Sequence, residues 1–362
     1  MSSMPSVLTL FVILSLFALT PAAFGQDAEP QSETTEVQAD PQAEEEAKQA
    51  AAKLAAERQA EEEQATATNA LEKLGGRVDI DYTQQDRRPR PVVKVAINHL
   101  KIGDEAIPLM QGFKALKWLD LSFSGVTDQG LRGIAILPEL EKIELYGTVI
   151  TDDGLASLSK FPQLKHVALH GVDVTDDGLA NLAKIDTLAD VDLDNTKITD
   201  AGLSQLAKLG QLSRIDLTNT TITDAGVKNL ETMSQLTSLL IAFTEISDAA
   251  LASVGKLTNL ESLELDGTAI TNDGLSQLAS LQSLKLLDLS GTEITNEGIP
   301  HLLKLKQLER LRLARTKIDD AGLKQLASGL ENLQEVHVDR SGVSEFAIKE
   351  LKESHPQLWV YR

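Results

Sequence analysis

LSRIDLTNTTITDAGVKNLETMSQ, Leu212–Gln235, is one turn of a pattern that recurs every 24 residues. The register is marked by the acidic residue two places after an Ile or Val. It stands at Asp104, Asp128, Asp152, Asp176, Asp200, Asp224 and Asp248, becomes Asn272 and Asn296, and returns as Asp320, with every interval 24. A chain with a fixed period of this length and Leu-x-x-Leu-x-Leu spacing winds into a stacked solenoid in which each coil touches only its neighbours. Such a molecule has no closed active-site pocket. Its function is therefore expected on a surface, and the expected activity is binding.

Seven columns of the repeat are apolar: Leu116, Leu119, Leu121, Val126, Leu131, Ile134 and Leu137 in one coil, and Leu212, Ile215, Leu217, Ile222, Val227, Leu230 and Met233 in another. Period two over the first part predicts a short strand near 118–122, and spacing near three over the last part predicts a helix of about two turns. The Thr-Asp or Thr-Asn pair between them has side-chain oxygens able to cap the helix N-terminus. Strands stack about 4.8 Å apart, whereas helices need about 10 Å, so the helix side is the longer and the stack bends. The predicted class is α/β: a right-handed solenoid of about eleven strands, with a parallel sheet on the concave face and short helices on the convex face.

Two further columns are polar or small. Gly130, Gly154, Gly178, Gly202, Gly226, Gly274, Gly298 and Gly322 share one position, but Ala250 fills it once and Ala106 and Ala347 fill it near the ends. Small size rather than a positive φ explains a column that admits alanine. Ser124, Thr148, Thr196, Thr220, Thr244, Thr268, Thr292, Thr316 and Ser341 form a hydroxyl column suited to satisfying backbone groups where strand turns into loop. Val172 interrupts it, so that corner is expected to be the loosest.

The rest of the chain frames the repeats. The 362 residues include no cysteine, which excludes disulfides and thiolate metal sites. The net charge of −20 argues against nucleic acid as partner. Residues 1–25 carry no charged side chain, residues 26–76 hold 13 Asp/Glu against 4 Lys/Arg, and residues 77–362 hold 41 against 30. Val7–Leu19 is an apolar run too short to span a bilayer and of the length of a signal-peptide core, with Ala23 and Gly25 placing cleavage before Gln26. The segment ahead of it lacks Lys and Arg. An uncleaved anchor reaching Phe24 is the alternative, and with it membrane attachment. Secretion, or retention in the periplasm or cell envelope, is the expected destination. Residues 26–65 read as an acidic spacer, first Gln/Glu/Thr/Pro-rich and disordered, then rich in helix formers without a sustained coiled-coil heptad. Residues 66–91 read as an N-terminal cap, with Leu71 and Leu74 on a short helix stopped by a Gly pair. Residues 92–362 are the solenoid. QLWVYR, Gln357–Arg362, reads as a strand with an unpaired apolar edge and is an expected route to self-association.

The pattern resembles the leucine-rich repeat family. It is most similar to the ITDxGLxxLxxLxxL subclass of F-box-associated repeats, of GALA-type repeats, and of many secreted bacterial leucine-rich repeat proteins such as those of planctomycetes. The resemblance covers residues 92–362. It departs in two ways: Thr or Ser replaces the Cys common in the F-box-associated class, and an export signal rather than an F-box-like domain precedes the repeats. An adaptor role of that kind is thereby put in question.

A ligand would meet the residues that flank each buried strand position. Aromatics gather early (Trp118, Phe123, Tyr146). Carboxylates dominate the middle (Asp190, Asp192, Asp194, Asp216, Glu264, Asp266, Asp288), with Asp120 and Glu144 before them. Arginines gather late (Arg310, Arg312, Arg315). Exposed aromatics and arginines anchor interfaces, so the expected partner is a protein or glycan carrying a basic patch. His166 and His170 also face this side, but four residues along a strand span about 13 Å, too far to share one metal ion. A calcium ion on the central aspartates would lack a closed coordination shell. No phosphate loop, HExxH or GxSxG occurs. The expectation is a non-enzymatic binding protein without cofactor or metal; a self-associating envelope component is the alternative.

Overall fold

The computed structural model describes residues 41–84, 89–99 and 101–362. The apolar run Val7–Leu19, the cleavage site before Gln26 and the acidic stretch 26–40 lie outside the described residues. The chain divides into two units after Lys53. A 33-residue helix, Pro41–Lys73, begins in the first unit and ends in the second. Its Ala, Glu, Lys and Gln residues are strong helix formers, but Leu54 is exposed, while Leu71 near the other end is fully buried. Leu74 is exposed as well. The short docked helix expected here is thus the tail of a much longer one, and a single leucine reaches the core. Gly75 ends it at φ +95°, donating its N–H to the Glu72 carbonyl, and Gly76 donates to that of Leu71. This is a left-handed glycine stop. Among the described residues no helix is long and apolar enough to cross a membrane.

The second unit is built on one sheet of 13 strands in strict sequence order. They are β1 (Arg77–Ile80), β2 (Val92–Ala96), β3 (Trp118–Asp120), β4 (Lys142–Glu144), β5 (His166–Ala168), β6 (Asp190–Asp192), β7 (Arg214–Asp216), β8 (Ser238–Leu240), β9 (Ser262–Glu264), β10 (Leu286–Asp288), β11 (Arg310–Arg312), β12 (Glu335–His337) and β13 (Trp359–Tyr361). β1 lies antiparallel on β2, and every later pairing is parallel. Partners are 24 residues apart, as in Asp190↔Arg214, except that β11 and β12 pair Arg310 with Glu335, one residue further on. The ten-residue helix Asp320–Gly329 takes up that extra residue. The sheet exceeds the expected eleven strands because β1 lies ahead of the repeats and β13 adds a final coil.

All seven apolar columns are buried, Leu212 through Met233 at 1% exposure or less. The convex segments are about two turns long in most coils, as expected, but they are often partly or wholly 3₁₀. Asp152–Leu155 is a single α-turn that runs on into the 3₁₀ helix Ala156–Lys160, and Gly274–Ser280 is 3₁₀ throughout. With only three apolar anchors per coil, little holds a longer helix, and short 3₁₀ segments are the usual result.

The Thr-Asp pair divides its labour differently from the expectation. The threonine does cap the helix, as Thr223 Oγ1 accepts from the Ala225 N–H at 3.2 Å. The aspartate does not. Asp200 reaches instead to the following coil, where Oδ1 accepts from the Thr223 N–H at 2.9 Å and Oδ2 from its hydroxyl at 2.6 Å. The same rung joins Asp104 to Thr127, Asp128 to Thr151 and Asp152 to Thr175, and continues to Asp320 and Ser344. Where the acid is Asn296, the next coil carries Asp319, and the Asn296 amide donates to that carboxylate at 2.6 Å. Donor and acceptor have changed sides and the rung survives. This ladder explains the small column. A Cβ on Gly226 would stand 2.1 Å from Asp200 Oδ1, and one on Gly130 would stand 2.0 Å from Asp104 Oδ1. None of these glycines has a positive φ.

The hydroxyl column works as read. Each Oγ donates to the carbonyl three residues back, among them Thr196 to Leu193 and Thr220 to Leu217, both 2.6 Å. Val172 is buried in the same place without that bond.

Candidate ligand-binding face

Each strand buries its central residue and turns the two flanking ones to the concave side, because successive side chains alternate across a sheet. Stacking twelve coils in register aligns those residues into two columns, with a third two residues past each strand and a fourth position along the edge where the strands exit. Trp118 and Asp120 lie on β3 with Phe123 just past it; Glu144 lies on β4 with Tyr146 two residues on. His166 is on β5, followed by His170. Asp190 and Asp192 sit on β6, followed by Asp194, and Asp216 sits on β7. Glu264 and Asp288 close β9 and β10, and Asp266 lies two past Glu264. Arg310 and Arg312 are on β11, with Arg315 three past.

Four of these aspartates have a structural task that the sequence reading missed. Asp120, Asp192, Asp216 and Asp288 each accept from the backbone N–H two residues on, at 3.0, 3.0, 3.1 and 2.9 Å. This Asx turn closes the strand exit. Asp120, Asp216 and Asp288 are accordingly buried, at 6, 9 and 6% exposure, rather than turned fully to solvent. Neighbouring strands less than 5 Å away cover them. Part of the acidic composition of the face therefore belongs to the fold.

The remaining charges largely answer one another. Arg214 reaches Asp190 on one side and Asp216 on its own strand, both at 3.4 Å. Arg312 contacts Asp288 at 3.2 Å and Glu264 at 3.6 Å. Arg315 spans two coils to make a forked contact with Asp266, 3.0 and 3.2 Å. His166 and His170 do not approach each other as a pair. Their Nδ1 atoms face Asp190 at 3.3 Å and Asp194 at 2.6 Å. The late arginines are thus bent back onto the central acids, and Arg310 alone of the three is exposed without a carboxylate partner among the described residues. Asp192 receives the Tyr146 hydroxyl at 3.2 Å. Burial holds the Asp192, Asp216, Glu264 and Asp266 carboxyls above their ordinary values. Burial, with the Asp192 and Glu144 charges, raises the Tyr146 phenol. Among the described residues no group of three or more His, Asp or Glu is placed to hold a metal ion.

Two arrangements appear only in three dimensions. Trp118 lies between ammonium groups, with Lys94 Nζ 3.1 Å and Lys142 Nζ 4.6 Å from its ring centroid, a cation–π contact on each side. The edge position, next, is left-handed in every coil from His99 to Arg340: His99, Phe123, Asn195, Asn219, Phe243, Arg315 and Arg340 share it with Gly147, Gly171, Gly267 and Gly291, all at φ between +52° and +68°.

The sequence profile described as "Leucine Rich repeat" matches residues 116–135, 256–279 and 280–299. No curated protein matches the chain. Among solved structures, the chain is similar to an internalin from Listeria monocytogenes, at 19% identity over 77% of this chain and 92% of that one, TM-score 0.46. It is also similar to a leucine-rich repeat protein of Leptospira interrogans, at 19% identity over 70% and 74%, TM-score 0.48. A third is a TDR receptor, at 14% identity over 74% of this chain and 46% of that one, TM-score 0.49. The chain is thus a leucine-rich repeat solenoid in fold, with three stretches that match that family's repeat.

Proposed function

We propose that the chain is an exported, non-enzymatic binding protein that takes a partner protein carrying a basic patch on its concave face. The supporting observation is the inner sheet itself. Strand after strand presents charged or aromatic side chains that the core does not need, and the acids among them remain partly uncompensated. Asp192 receives a phenol and forms no ion pair among the described residues, and its carboxyl is held high by burial. A basic side chain laid along this row would gain an ionic partner without displacing an existing one. The apolar run Val7–Leu19 supports export. Fractionation of the tagged full chain tests that part, and recovery of the unprocessed chain in the cytosol overturns it.

The binding test compares baits. The full chain and a variant with Asp190, Asp192, Asp194 and Asp216 changed to Asn are used for affinity capture; Asn keeps the side-chain oxygen that the Asx turns require. The expected result is a protein retained by the first and lost from the second at equal thermal stability. Equal retention by both overturns the concave reading.

A further inference from the structure

The edge column contains two half-exposed phenylalanines, Phe123 and Phe243, at a backbone conformation that does not favour them. Glycine, or asparagine, is what a left-handed position favours, and seven of the eleven coils conform or have a polar contact that compensates. Asn219 donates to Asn195 at 2.8 Å, and Arg315 gains its forked contact with Asp266. Phe123 and Phe243 have neither. Their φ angles are 53° and 52°, a region that bulky L side chains avoid, and each is 50% exposed. The next coil makes room for both. A Cβ on Gly147 would stand 2.6 Å from the Phe123 ring, and one on Gly267 would stand 2.5 Å from the Phe243 ring. So each ring lies across a glycine, held in place and half open to solvent. His99 stacks behind Phe123 at 4.7 Å between centroids.

Strained backbone that also exposes apolar surface is what a binding anchor looks like when folding alone is considered. We propose that Phe123 and Phe243 are paired anchors for an extended segment of the partner protein, one that carries an apolar side chain at each end and basic residues between. The inference rests on the concave reading above. Five coils separate the two rings, about 24 Å at the interstrand spacing, which an extended chain covers in about seven residues. Between them stand Tyr146, Asp192, Asp194 and Asp216. The acidic middle and the two apolar ends together define the segment.

The test uses the full chain and a random dodecapeptide library displayed on phage. Expected are enriched peptides with Lys or Arg between apolar residues about seven apart, whose affinity falls at least about tenfold with the double variant Phe123→Gly, Phe243→Gly, as loss of hot-spot side chains does. The same variant should melt no lower than the parent, since glycine relieves the left-handed strain. A variant that melts several degrees lower and binds the peptides unchanged shows the rings to be packing, and overturns the inference. So does a library that yields no such peptide. Peptides lost from the Asp192→Asn, Asp194→Asn variant but indifferent to both phenylalanines leave the concave reading standing while this inference fails.

Discussion

At the scale of single residues, the molecule depends on short polar contacts repeated with the period of the sequence. Asp200 holds the Thr223 N–H and hydroxyl of the next coil. Asp200→Ala leaves a part-buried donor unmet and is expected to cost about 1–3 kcal/mol. Asp200→Asn should cost far less, because Asn272 already forms the rung by accepting from the Thr295 N–H and donating to its hydroxyl. Urea melts of the two variants separate them. Asp192 behaves in the opposite sense. Burial raises its carboxyl in the folded chain, so between its ordinary value and that raised value the folded state binds the extra proton and stability falls as pH rises. Asp192→Asn is therefore expected to melt higher than the parent at neutral pH, with the gain vanishing on acidification below the ordinary carboxylate range. A melting series across pH checks this, and a gain independent of pH refutes it.

The elements of the repeats are too short to be stable alone. Strands of three residues and helices of four to ten gain their order from neighbours on both sides, which makes stability a sum of local and interface contributions. Ile215, fully buried on β7, touches the coils before and after. Ile215→Ala is expected to cost about 2–5 kcal/mol, with lost hydrogen-exchange protection concentrated in β6, β7 and β8 rather than spread over the sheet. The corner at Val172 offers the converse. Leu169 carbonyl there receives the Val172 N–H at 3.0 Å but no hydroxyl, whereas Leu193 receives the Thr196 hydroxyl. Val172→Thr should restore the bond and stabilise by about 0.5–1.5 kcal/mol, visible as slower exchange at Val172 and Val174.

Over the whole molecule, the −20 charge and the partly compensated acids of the inner sheet combine into one field. Such a field accelerates association with a basic partner more than it prolongs the complex. Raising salt from about 0.05 to 0.5 M is expected to slow association about tenfold or more, with a smaller change in dissociation, because the screening length shrinks from well over 10 Å to about 4 Å. Surface-binding kinetics with the captured partner measure both rates. A salt-independent association rate would show that apolar contact, not charge, selects the partner.

The fold was legible in the sequence because a fixed period leaves few ways to bury seven apolar columns at once. The strand register, the buried leucines and the hydroxyl corner all follow from local spacing and side-chain chemistry. The small column was also readable as small, since Ala250 shares it, but the carboxylate that demands smallness lies 26 residues earlier in the chain, as Asp200 does from Gly226. That pairing exists only when coils stack. The candidate face was legible as a set of positions, not as a set of free groups. Which aspartates close a turn is a contact over two residues that the periodic reading passed over, whereas which arginines fold back and which phenylalanines lie across a glycine depend on neighbours 24 to 49 residues away. Sequence alone determined the period, and hence the solenoid. Tertiary contact decided which of its surface charges are already spent, because a side chain's partners across a sheet are set by stacking distance and not by proximity along the chain.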